Sequence, residues 1–451
     1  MNIQTVIMAA GKGTRMHSDL PKVLHPILGK PMLWYSIQAA RAVQDTPPVV
    51  IIGHQAAQVR QAVDGLARFA VQEMQQGTAH AVLQARPLLE GQTDIVLVTS
   101  ADMPLISAKT LQTLAEAQQA HTGPISLLIA ESPDARGFGR VLRSADGMVQ
   151  AIVEEREATP AQRAIRLLNV GVYAFDAAWL WRNLPNVPRS AKGEYYITSL
   201  VEMAVAAGES VQAVDLPDLD EIIGVNTRVH LAEATAAMQR RINQKWMLSG
   251  VSMISPSSTY IEPEVTLGQD TILWPNTCLK GRTVIGTACE IGPNTIIQDT
   301  HIGNRCKIVA SVLESAVLED DVDVGPFGHL RKGAHLAQGV HMGNFGEVKN
   351  SYLGPGSKMG HFSYLGDATL GANVNVGAGT ITCNYDGVHK NPTTIGANAF
   401  IGSDTMLVAP VEIGENARTG AGAVVTRNVP VDSLAVGVPA RVIRKFENRG
   451  K

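Results

Sequence analysis

The chain has 451 residues, of which 18% are charged, and a net charge of −3. This length exceeds what one ordinary hydrophobic core organises, so two domains are predicted. The charge gives no electrostatic basis for binding nucleic acid or a membrane surface, which leaves small molecules as the expected substrates. No apolar run reaches the roughly 18 residues of a membrane span, and the N-terminal stretch lacks the pattern of a secretory signal. A cytoplasmic location is therefore expected.

The first half of the chain alternates short aliphatic runs with helix-like segments. Runs such as TVIMAAG, PVVIIGH and DIVLVTSAD are interspersed with segments such as LWYSIQAARAV and KTLQTLAEAQQA. This alternation is the βαβ pattern of a doubly wound, mostly parallel sheet. A Rossmann-like α/β domain is therefore predicted over residues 1–228.

The segment that follows is predicted to be a helical linker over residues 229–249. The stretch NTRVHLAEATAAMQRRINQKWML contains neither glycine nor proline. Five apolar residues in it share one face of a helix. They are Leu231, Ala234, Met238, Ile242 and Trp246.

Glycine spacing separates the last part of the chain from the first. Of the 42 glycines, 26 follow residue 250, and many come directly after an aliphatic residue, as in Ile285-Gly286 and Ile291-Gly292. A six-residue period of this kind is typical of the hexapeptide parallel β-helix, in which the aliphatic side chain points inward and a small residue forms the corner. Residues 250–451 are therefore predicted to form a parallel β-helix of about ten coils.

The loop after the first predicted strand has the residues of a phosphate-binding site. The stretch VIMAAGKGTRM combines Gly11 and Gly13 with Arg15, and Lys22 follows shortly after. It matches neither a Walker A loop nor the complete Rossmann glycine fingerprint. Backbone N–H groups of a glycine turn can hold phosphate oxygens, while the two cations neutralise charge that develops as a phosphoryl bond breaks.

The segment MAAGKGTRM followed by LPKVLH resembles the signature of nucleotidyltransferases that make nucleoside-diphosphate sugars. Together with the β-helix and the stretches GHFSYLGDATLG and NVNVGAGTITCNYDG, nearly the whole chain is similar to one family. This is the family of bifunctional bacterial N-acetylglucosamine-1-phosphate uridylyltransferase/glucosamine-1-phosphate N-acetyltransferases.

The resemblance implies two reactions and an assembly. A left-handed β-helix domain would acetylate glucosamine 1-phosphate with acetyl-coenzyme A. The N-terminal domain would then transfer a uridylyl group from UTP to N-acetylglucosamine 1-phosphate and release pyrophosphate. The product, UDP-N-acetylglucosamine, would feed peptidoglycan and lipopolysaccharide synthesis, and the enzyme would be a homotrimer.

In the N-terminal domain, the family pattern implies a nucleotide-sugar site that uses Mg²⁺. Arg15 and Lys22 are the implied catalytic cations, and Asp102 and Asn226 are the implied metal ligands. Ser199 departs from the pattern, because the family usually has aspartate there. The other implied ligands of UTP and UDP-N-acetylglucosamine are Met8, Ala9, Ala10, Gly11, Gln72, Gly77, Thr78, Ser100, Ala101, Gly139, Glu154, Asn169, Tyr196 and Thr198.

In the β-helix, the family pattern implies an acetyl-transfer site with His361 as the general base. The implied ligands of glucosamine 1-phosphate are Arg331, Lys349, Tyr364 and Asn375. The implied ligands of acetyl-coenzyme A are Ala378, Asn384, Tyr385, Ser403 and Ala421. The basic residue Arg441 lies in a tail whose role the pattern leaves unassigned.

Three other functions compete with this interpretation. The β-helix could serve only assembly in a sugar-1-phosphate nucleotidyltransferase, but the set Arg331, Lys349 and His361 argues against that. A regulatory homologue without activity, or an acyltransferase with a single activity, would have no need for Lys22 and Asp102. The bifunctional enzyme is therefore the predicted function.

Overall fold

The protein is described by a computed structural model that covers residues 2–446. The last five residues of the predicted β-helix domain lie outside the described residues. The chain forms two compact units, residues 1–238 and residues 239–451. The boundary between them falls within the helix Arg228–Leu248, and the three domain limits given above stay a prediction.

The first unit is built on a twisted sheet, seven of whose strands follow one another in a continuous order. That order is Val211–Asp215, Ile125–Glu131, Leu167–Asp176, Ile95–Ser100, Ile3–Met8, Val49–Ile52 and Arg68–Val71. The strand Leu167–Asp176 is antiparallel to both of its neighbours, and the other pairs in this order are parallel. The hairpin of Gly139–Arg143 and Val149–Val153 is attached to the antiparallel strand. The predicted mostly parallel α/β fold is confirmed.

Helices cover this sheet and bury its aliphatic residues. The helices of this unit are Met32–Arg41, Ala56–Ala62, Thr78–Leu83, Arg86–Leu89, Ala108–Ala120, Pro160–Arg163, Ala177–Asn183 and Ser199–Ala206. The helix Arg228–Leu248 begins in this unit and ends in the second. Short 3₁₀ turns occupy Thr14–Met16, Lys22–Leu24, Leu184–Asn186 and Leu219–Ile222, and a small hairpin pairs Pro26–Ile27 with Lys30–Pro31. No helix within residues 2–446 is long and apolar enough to cross a bilayer.

The strand directions fix where a ligand can bind in the first unit. Ile3–Met8 and Ile95–Ser100 are parallel neighbours, and their carboxyl ends meet, with Met8 opposite Ser100. Loops that follow such strands form the usual binding edge of an α/β sheet. The glycine loop and Asp102 both lie on this edge.

The second unit is a parallel β-helix whose short strands stack in three faces. The first face consists of Ser252–Met253, Ile272–Leu273, Glu290–Ile291, Lys307–Ile308, Asp323–Val324, His341–Met342, Lys358–Met359, Asn375–Val376, Phe400–Ile401, Arg418–Thr419, Ser433–Gly437 and the antiparallel Ala440–Lys445. The second face consists of Tyr260–Ile261, Cys278–Lys280, Ile296–Gln298, Val312–Glu314, His329–Leu330, Gly346–Lys349, Ser363–Gly366, Ile381–Cys383, Met406–Val408 and Val424–Val425. The third face consists of Thr266–Leu267, Val284–Ile285, His301–Ile302, Val317–Leu318, His335–Leu336, Tyr352–Leu353, Ala368–Leu370, Thr393–Ile395 and Val411–Ile413. A 3₁₀ turn, Pro256–Ser258, lies in the first coil.

The hexapeptide period works as predicted inside this prism. One aliphatic residue of each repeat is buried in the core, for example Leu279, Ile285 and Ile291. The glycine that follows it allows adjacent coils to approach closely, because a Cβ atom on Gly286 would lie 2.5 Å from the carbonyl oxygen of Gly303. Any larger residue there would force the coils apart, which explains why the aliphatic–glycine pair repeats.

One coil departs from the period because a loop is inserted in it. Most successive strands of a face are about 17 or 18 residues apart, but Ala368–Leu370 pairs with Thr393–Ile395. The extra residues form a turn held by a bridge between Tyr385 and Lys390. The insertion contains the CNYDG stretch, so this stretch forms part of a loop and not of the regular coils.

We expect that Leu313→Ala destabilises the β-helix by about 2–5 kcal/mol, because its side chain is fully buried and the cavity left behind cannot collapse. The free energy of unfolding in urea measures this effect. Val317→Ala in the next strand is the matched control, since Val317 is 39% exposed and should change the stability far less. Equal losses in the two variants would contradict the core assigned here.

Candidate active sites

A pocket of about 290 Å³ lies at the carboxyl edge of the sheet in the first unit. Ten of the predicted nucleotide-sugar residues line it: Met8, Ala9, Ala10, Gly11, Lys22, Gln72, Gly77, Thr78, Ser100 and Asp102. Ala101 is fully buried behind this wall. The structure therefore brings together residues that are up to 94 positions apart in the sequence.

Hydrogen bonds join Lys22, Asp102, Asn226 and Arg15 into one cluster at this edge of the sheet. Lys22 Nζ donates to Asp102 Oδ2 at 2.5 Å and to Asn226 Oδ1 at 3.2 Å, and Arg15 donates to the same Asn226 oxygen at 3.0 Å. Ser100 Oγ donates to the second carboxylate oxygen of Asp102 at 2.6 Å. Burial acts to raise the pKa of Asp102, but the charge and the hydrogen bond of Lys22 outweigh it, so the pKa lies below its ordinary value. Asp102 is therefore a carboxylate at neutral pH.

The oxygens of Asp102 and Asn226 fit a magnesium ion by their chemistry. Both accept from one cationic group, Lys22 Nζ, so they already face a single position that favours positive charge. Mg²⁺ prefers oxygen ligands and needs few from the protein, since water and phosphates supply the others. Among residues 2–446, no group of three or more His, Cys, Asp or Glu side chains is arranged to hold a metal, so any ion here relies on few protein ligands.

Arg228 connects the loop that holds the two cations to the segment that holds Asn226. It donates to the carbonyl oxygen of Met16 at 3.3 Å and contacts Nδ1 of the buried His25 at 3.2 Å. Burial, and then the charge of Arg228, lower the pKa of His25, so the imidazole is neutral and accepts this hydrogen bond. Sequence reasoning missed both residues, because the contact joins positions that are 203 residues apart.

The wall of the pocket formed by Gln72, Gly77 and Thr78 is tightly built. Gly77 has a φ of 114°, and a Cβ atom there would lie 2.4 Å from the carbonyl oxygen of Tyr195. The hydroxyl of Thr78 accepts from the backbone N–H of Ile197 at 2.9 Å. Glycine is required at this position by both its backbone conformation and the lack of space. The segment around residue 195 is thereby held against the pocket.

The predicted sugar-side residues form a connected group in the same unit. Gly139 pairs with Asn169 across two antiparallel strands, and the Asn169 amide donates to the hydroxyl of Tyr173 at 2.7 Å. Thr198 donates to Glu154 at 3.0 Å. Burial raises the pKa of Glu154 above its ordinary value, and the hydrogen bond from Thr198 opposes that shift only in part.

Four residues that line the pocket were not predicted from the sequence. They are Val23, Gln75, Ala81 and Glu194. Gln75 and Ala81 lie within three residues of the predicted Gly77 or Thr78, and Glu194 lies two residues before the predicted Tyr196. Proximity in the sequence was therefore an available signal in each case.

In the β-helix, four of the predicted residues form a column along one corner of successive coils. We call this the acetyl corner and define it by His361, Ala378, Ser403 and Ala421. The Ala378 carbonyl accepts from the N–H that follows Ser403 at 2.6 Å, and the Ser403 carbonyl accepts from the N–H that follows Ala421 at 2.8 Å. The backbone ladder thus aligns Ala378, Ser403 and Ala421, and it includes Phe362, the neighbour of His361, whose carbonyl accepts from the N–H that follows Ala378 at 2.7 Å. His361 and Ser403 are exposed.

The predicted acceptor residues lie on the faces that flank the acetyl corner. Tyr364 lies on the second face, and Asn375 lies on the first face, near the strand end that leads to Ala378. Arg331 and Lys349 lie at the far end of the second face, on successive coils. Arg331 donates to Glu347 at 2.8 Å, and this hydrogen bond raises the pKa of Arg331.

A third cation joins this end of the second face. Contact with the ammonium group of Lys390, together with the positive charges of Lys390 and Arg331, lowers the pKa of Lys349. Three like charges close together make a site for an anion such as a phosphate. Lys390 was missed from the sequence, although it belongs to the inserted loop, whose extra length was a signal.

Asn384 and Tyr385 begin the inserted loop and have different environments. The Asn384 amide donates to Asp367 at 2.5 Å and is mostly buried, whereas Tyr385 is exposed. Asp367 also accepts from Asn350 at 2.6 Å, so it anchors the loop to the coil beneath. The loop therefore leaves the prism from a fixed base.

Family models match both units. Residues 4–247 match the nucleotidyl transferase family, and residues 392–427 match the bacterial transferase hexapeptide family of six repeats. The first match includes every residue of the pocket described above.

Full-length relatives cover nearly the whole chain. The chain is 45% identical to the bifunctional protein GlmU of Pelobacter propionicus over 98% of its length and 97% of the relative. It is 46% identical to the same protein of Heliobacterium modesticaldum, over 96% of the chain and 94% of the relative. It is 44% identical to that of Streptococcus suis, over 97% of the chain and 95% of the relative. The chain belongs to the family of the bifunctional protein GlmU, and it is a bifunctional uridylyl- and acetyltransferase of UDP-N-acetylglucosamine synthesis.

Proposed function

We propose that the pocket of the first unit carries out uridylyl transfer and that the acetyl corner of the β-helix carries out acetyl transfer. The observation that carries the proposal is the convergence of Arg15, Lys22, Asp102 and Asn226 at the binding edge of the sheet. A phosphoryl-transfer site needs such positive charge beside a glycine loop. The substrates are UTP, N-acetylglucosamine 1-phosphate, glucosamine 1-phosphate and acetyl-coenzyme A.

In uridylyl transfer, a phosphate oxygen of the sugar phosphate attacks the α-phosphorus of UTP and pyrophosphate leaves. Negative charge spreads over the phosphoryl oxygens as the bond breaks. The ammonium group of Lys22 stabilises that charge from within a partly buried pocket, where electrostatic attraction exceeds its value in water, and the exposed guanidinium group of Arg15 adds positive charge from the loop beside it. No covalent intermediate with the protein is needed.

Asp102 and Asn226 would hold Mg²⁺ through their side-chain oxygens. When bound, the ion would supply positive charge to the triphosphate oxygens. Lys22 Nζ donates to both of these oxygens. Its charge and hydrogen bond keep the pKa of Asp102 below its ordinary value, so the carboxylate is ionised at neutral pH.

The sugar binds beside Gly139, Glu154, Asn169 and Thr198. Gly139 lets the backbone approach the sugar, because it has no side chain in the way. Glu154 and Asn169 offer acceptor and donor atoms to the sugar hydroxyls and the N-acetyl group. Tyr196 completes this side of the pocket.

In acetyl transfer, the imidazole of His361 takes a proton from the sugar amine as the nitrogen attacks the thioester carbon of acetyl-coenzyme A. The C–N bond forms, the C–S bond breaks, and the thiol leaves. A positioned general base contributes roughly 10²- to 10⁴-fold to such a step. The cations Arg331, Lys349 and Lys390 bind the phosphate of glucosamine 1-phosphate, with Tyr364 and Asn375 beside the sugar. Ala378, Asn384, Tyr385, Ser403 and Ala421 hold the coenzyme.

The assembly is a homotrimer located in the cytoplasm. Three parallel prisms around a three-fold axis would place a neighbour against the exposed acetyl corner. The four cysteines of the chain are free thiols, which suits a reducing compartment. Neither nucleic acid nor a membrane is a partner.

Each activity can be assayed separately. UTP with N-acetylglucosamine 1-phosphate should release pyrophosphate, and acetyl-coenzyme A with glucosamine 1-phosphate should release free thiol. Pyrophosphate without thiol would favour the alternative in which the β-helix is only an oligomerisation module. The cluster of Arg331, Lys349 and Lys390 weighs against that alternative, since assembly alone does not need three adjacent cations.

Chelation with EDTA should stop uridylyl transfer and spare acetyl transfer, because only the first reaction develops charge on a nucleoside triphosphate. Pyrophosphate release and thiol release are measured on the same preparation, before and after excess Mg²⁺ is restored. Acetyl transfer that depended on added Mg²⁺ would count against this division of the sites.

A further inference from the structure

The amide of Gln72 is held in one orientation by two neighbours. Its Nε2 donates to the carbonyl oxygen of Gly77 at 3.1 Å and lies 3.0 Å from Nδ1 of His80. A carbonyl oxygen can only accept, so the nitrogen, and not the oxygen, must face Gly77. Nδ1 of His80 must then also accept, which places the proton of the neutral ring on Nε2. The 3.4 Å between that atom and Gln84 Nε2 is then a contact between two donors and not a hydrogen bond.

This arrangement leaves Oε1 as the free end of the Gln72 amide. The side chain is only 3% exposed and it lines the nucleotide pocket. No donor within residues 2–446 is hydrogen-bonded to Oε1. Because Gln72 lines the pocket, its Oε1 is available to a donor from a ligand bound there.

We propose that His80 is a positioning residue that sets the base specificity of the pocket, an inference that rests on the function proposed above. With Nε2 engaged by Gly77 and His80, Gln72 presents an acceptor to the base edge. Uracil offers an N3–H donor at that edge, whereas cytosine has a lone pair on N3. The pocket therefore accepts UTP and rejects CTP.

Accepting cytosine would require the Gln72 amide to turn over. Its Oε1 would then face the carbonyl oxygen of Gly77 and the lone pair of His80 Nδ1, two contacts between acceptors. The carbonyl of Gly77 is further fixed because it also accepts from the backbone N–H of Ala81 at 3.1 Å. A polar site that leaves groups unpaired rejects the wrong ligand far more strongly than an apolar pocket does.

The test compares kcat/KM for UTP and CTP in the full-length protein and its variants. His80→Phe removes the acceptor at Nδ1 and keeps a ring of similar size, so the UTP/CTP ratio should fall about tenfold, the effect of losing one hydrogen bond. Gln84→Met is the matched control, because Gln84 contacts the other side of the same residue. The UTP/CTP ratio of Gln84→Met should stay within about twofold of that of the unchanged protein.

Gln72→Ala separates this inference from the proposed function. If the pocket reads the base through Gln72, this variant should lose most of its activity with UTP, and the UTP/CTP ratio should collapse. An unchanged ratio in Gln72→Ala would mean that Gln72 is not the ligand of the base that the family pattern implies, whatever the role of His80. A collapsed ratio in Gln72→Ala with an unchanged ratio in His80→Phe, or an equal loss for both nucleotides in His80→Phe, would overturn the role of His80 alone.

Discussion

Asp102→Ala should lower pyrophosphate release by at least about 10²- to 10³-fold, the loss expected when a preorganised charge at a phosphoryl-transfer site is removed. Asp102 accepts from Lys22 at 2.5 Å, so its removal leaves the ammonium group without its main partner and removes the only carboxylate of the proposed metal site. Thiol release from acetyl-coenzyme A should stay close to that of the unchanged protein. Both products are measured on one preparation.

Asp102→Asn provides the control for this prediction. It keeps the size of the side chain and its hydrogen-bonding oxygen but removes the charge, so its loss of uridylyl transfer should approach that of Asp102→Ala. A nearly normal rate in Asp102→Asn would show that the charge is not what the reaction needs. His361→Ala is the reciprocal variant, and it should lower thiol release by about 10²- to 10⁴-fold and leave pyrophosphate release intact.

If Asp102→Ala or His361→Ala removed both activities while the protein stayed folded, the two-site arrangement would be contradicted. The pocket and the acetyl corner are each built entirely within one compact unit, which is the reason to expect independence. The intact activity of each variant also serves as its test of folding.

The sequence predicted the elements whose causes are local. The period of six follows from one buried aliphatic residue per strand, and the glycine after it follows from the close approach of coils, as at Gly286. The strand-then-glycine-loop pattern likewise placed Gly11 and Lys22 at the binding edge of the sheet. These features need only neighbours in the sequence and the geometry of a strand.

The contacts that the sequence did not predict depend on the folded chain. His80 faces Gln72 across eight positions, but nothing in the stretch QGTAHA indicates which atom of the amide it contacts. Arg228 reaches His25 only because the sheet brings the two ends of the first unit together. Lys390 meets Lys349 because an inserted loop folds back over an earlier coil. Side-chain orientation is set by such distant partners, so motif reasoning alone could not supply it.

The proposed homotrimer leads to the second large prediction, which concerns how the acetyl-transfer site is completed. His361 lies at one end of the second face and Asn384 lies at the other, separated by the strand Ser363–Gly366. Four residues of strand span about 13 Å, which is too far for both side chains to contact the same reacting atoms. On the coils that precede His361 at this corner, the stacked rings of Phe327 and Phe345 are exposed. An exposed aromatic pair at this corner suits contact with a second prism.

His361→Ala and Asn384→Ala subunits should each be inactive in acetyl transfer when alone but regain activity when they assemble together. In a trimer whose sites each take His361 from one chain and Asn384 from its neighbour, every trimer that contains both kinds of subunit has one intact site in three, since each site needs two particular subunits in one order. The two subunits are co-expressed with different tags, mixed trimers are purified through both tags, and thiol release is measured. Pyrophosphate release, which needs only one unit, should be normal in every mixture and reports the amount of folded protein.

If the mixed assemblies recovered no thiol release, both residues would serve a site within one chain, and the shared cleft would be wrong. Light scattering that showed a monomer with normal acetyl transfer would overturn the trimer itself, because a lone prism leaves the acetyl corner exposed to water and offers the coenzyme a ridge in place of a cleft.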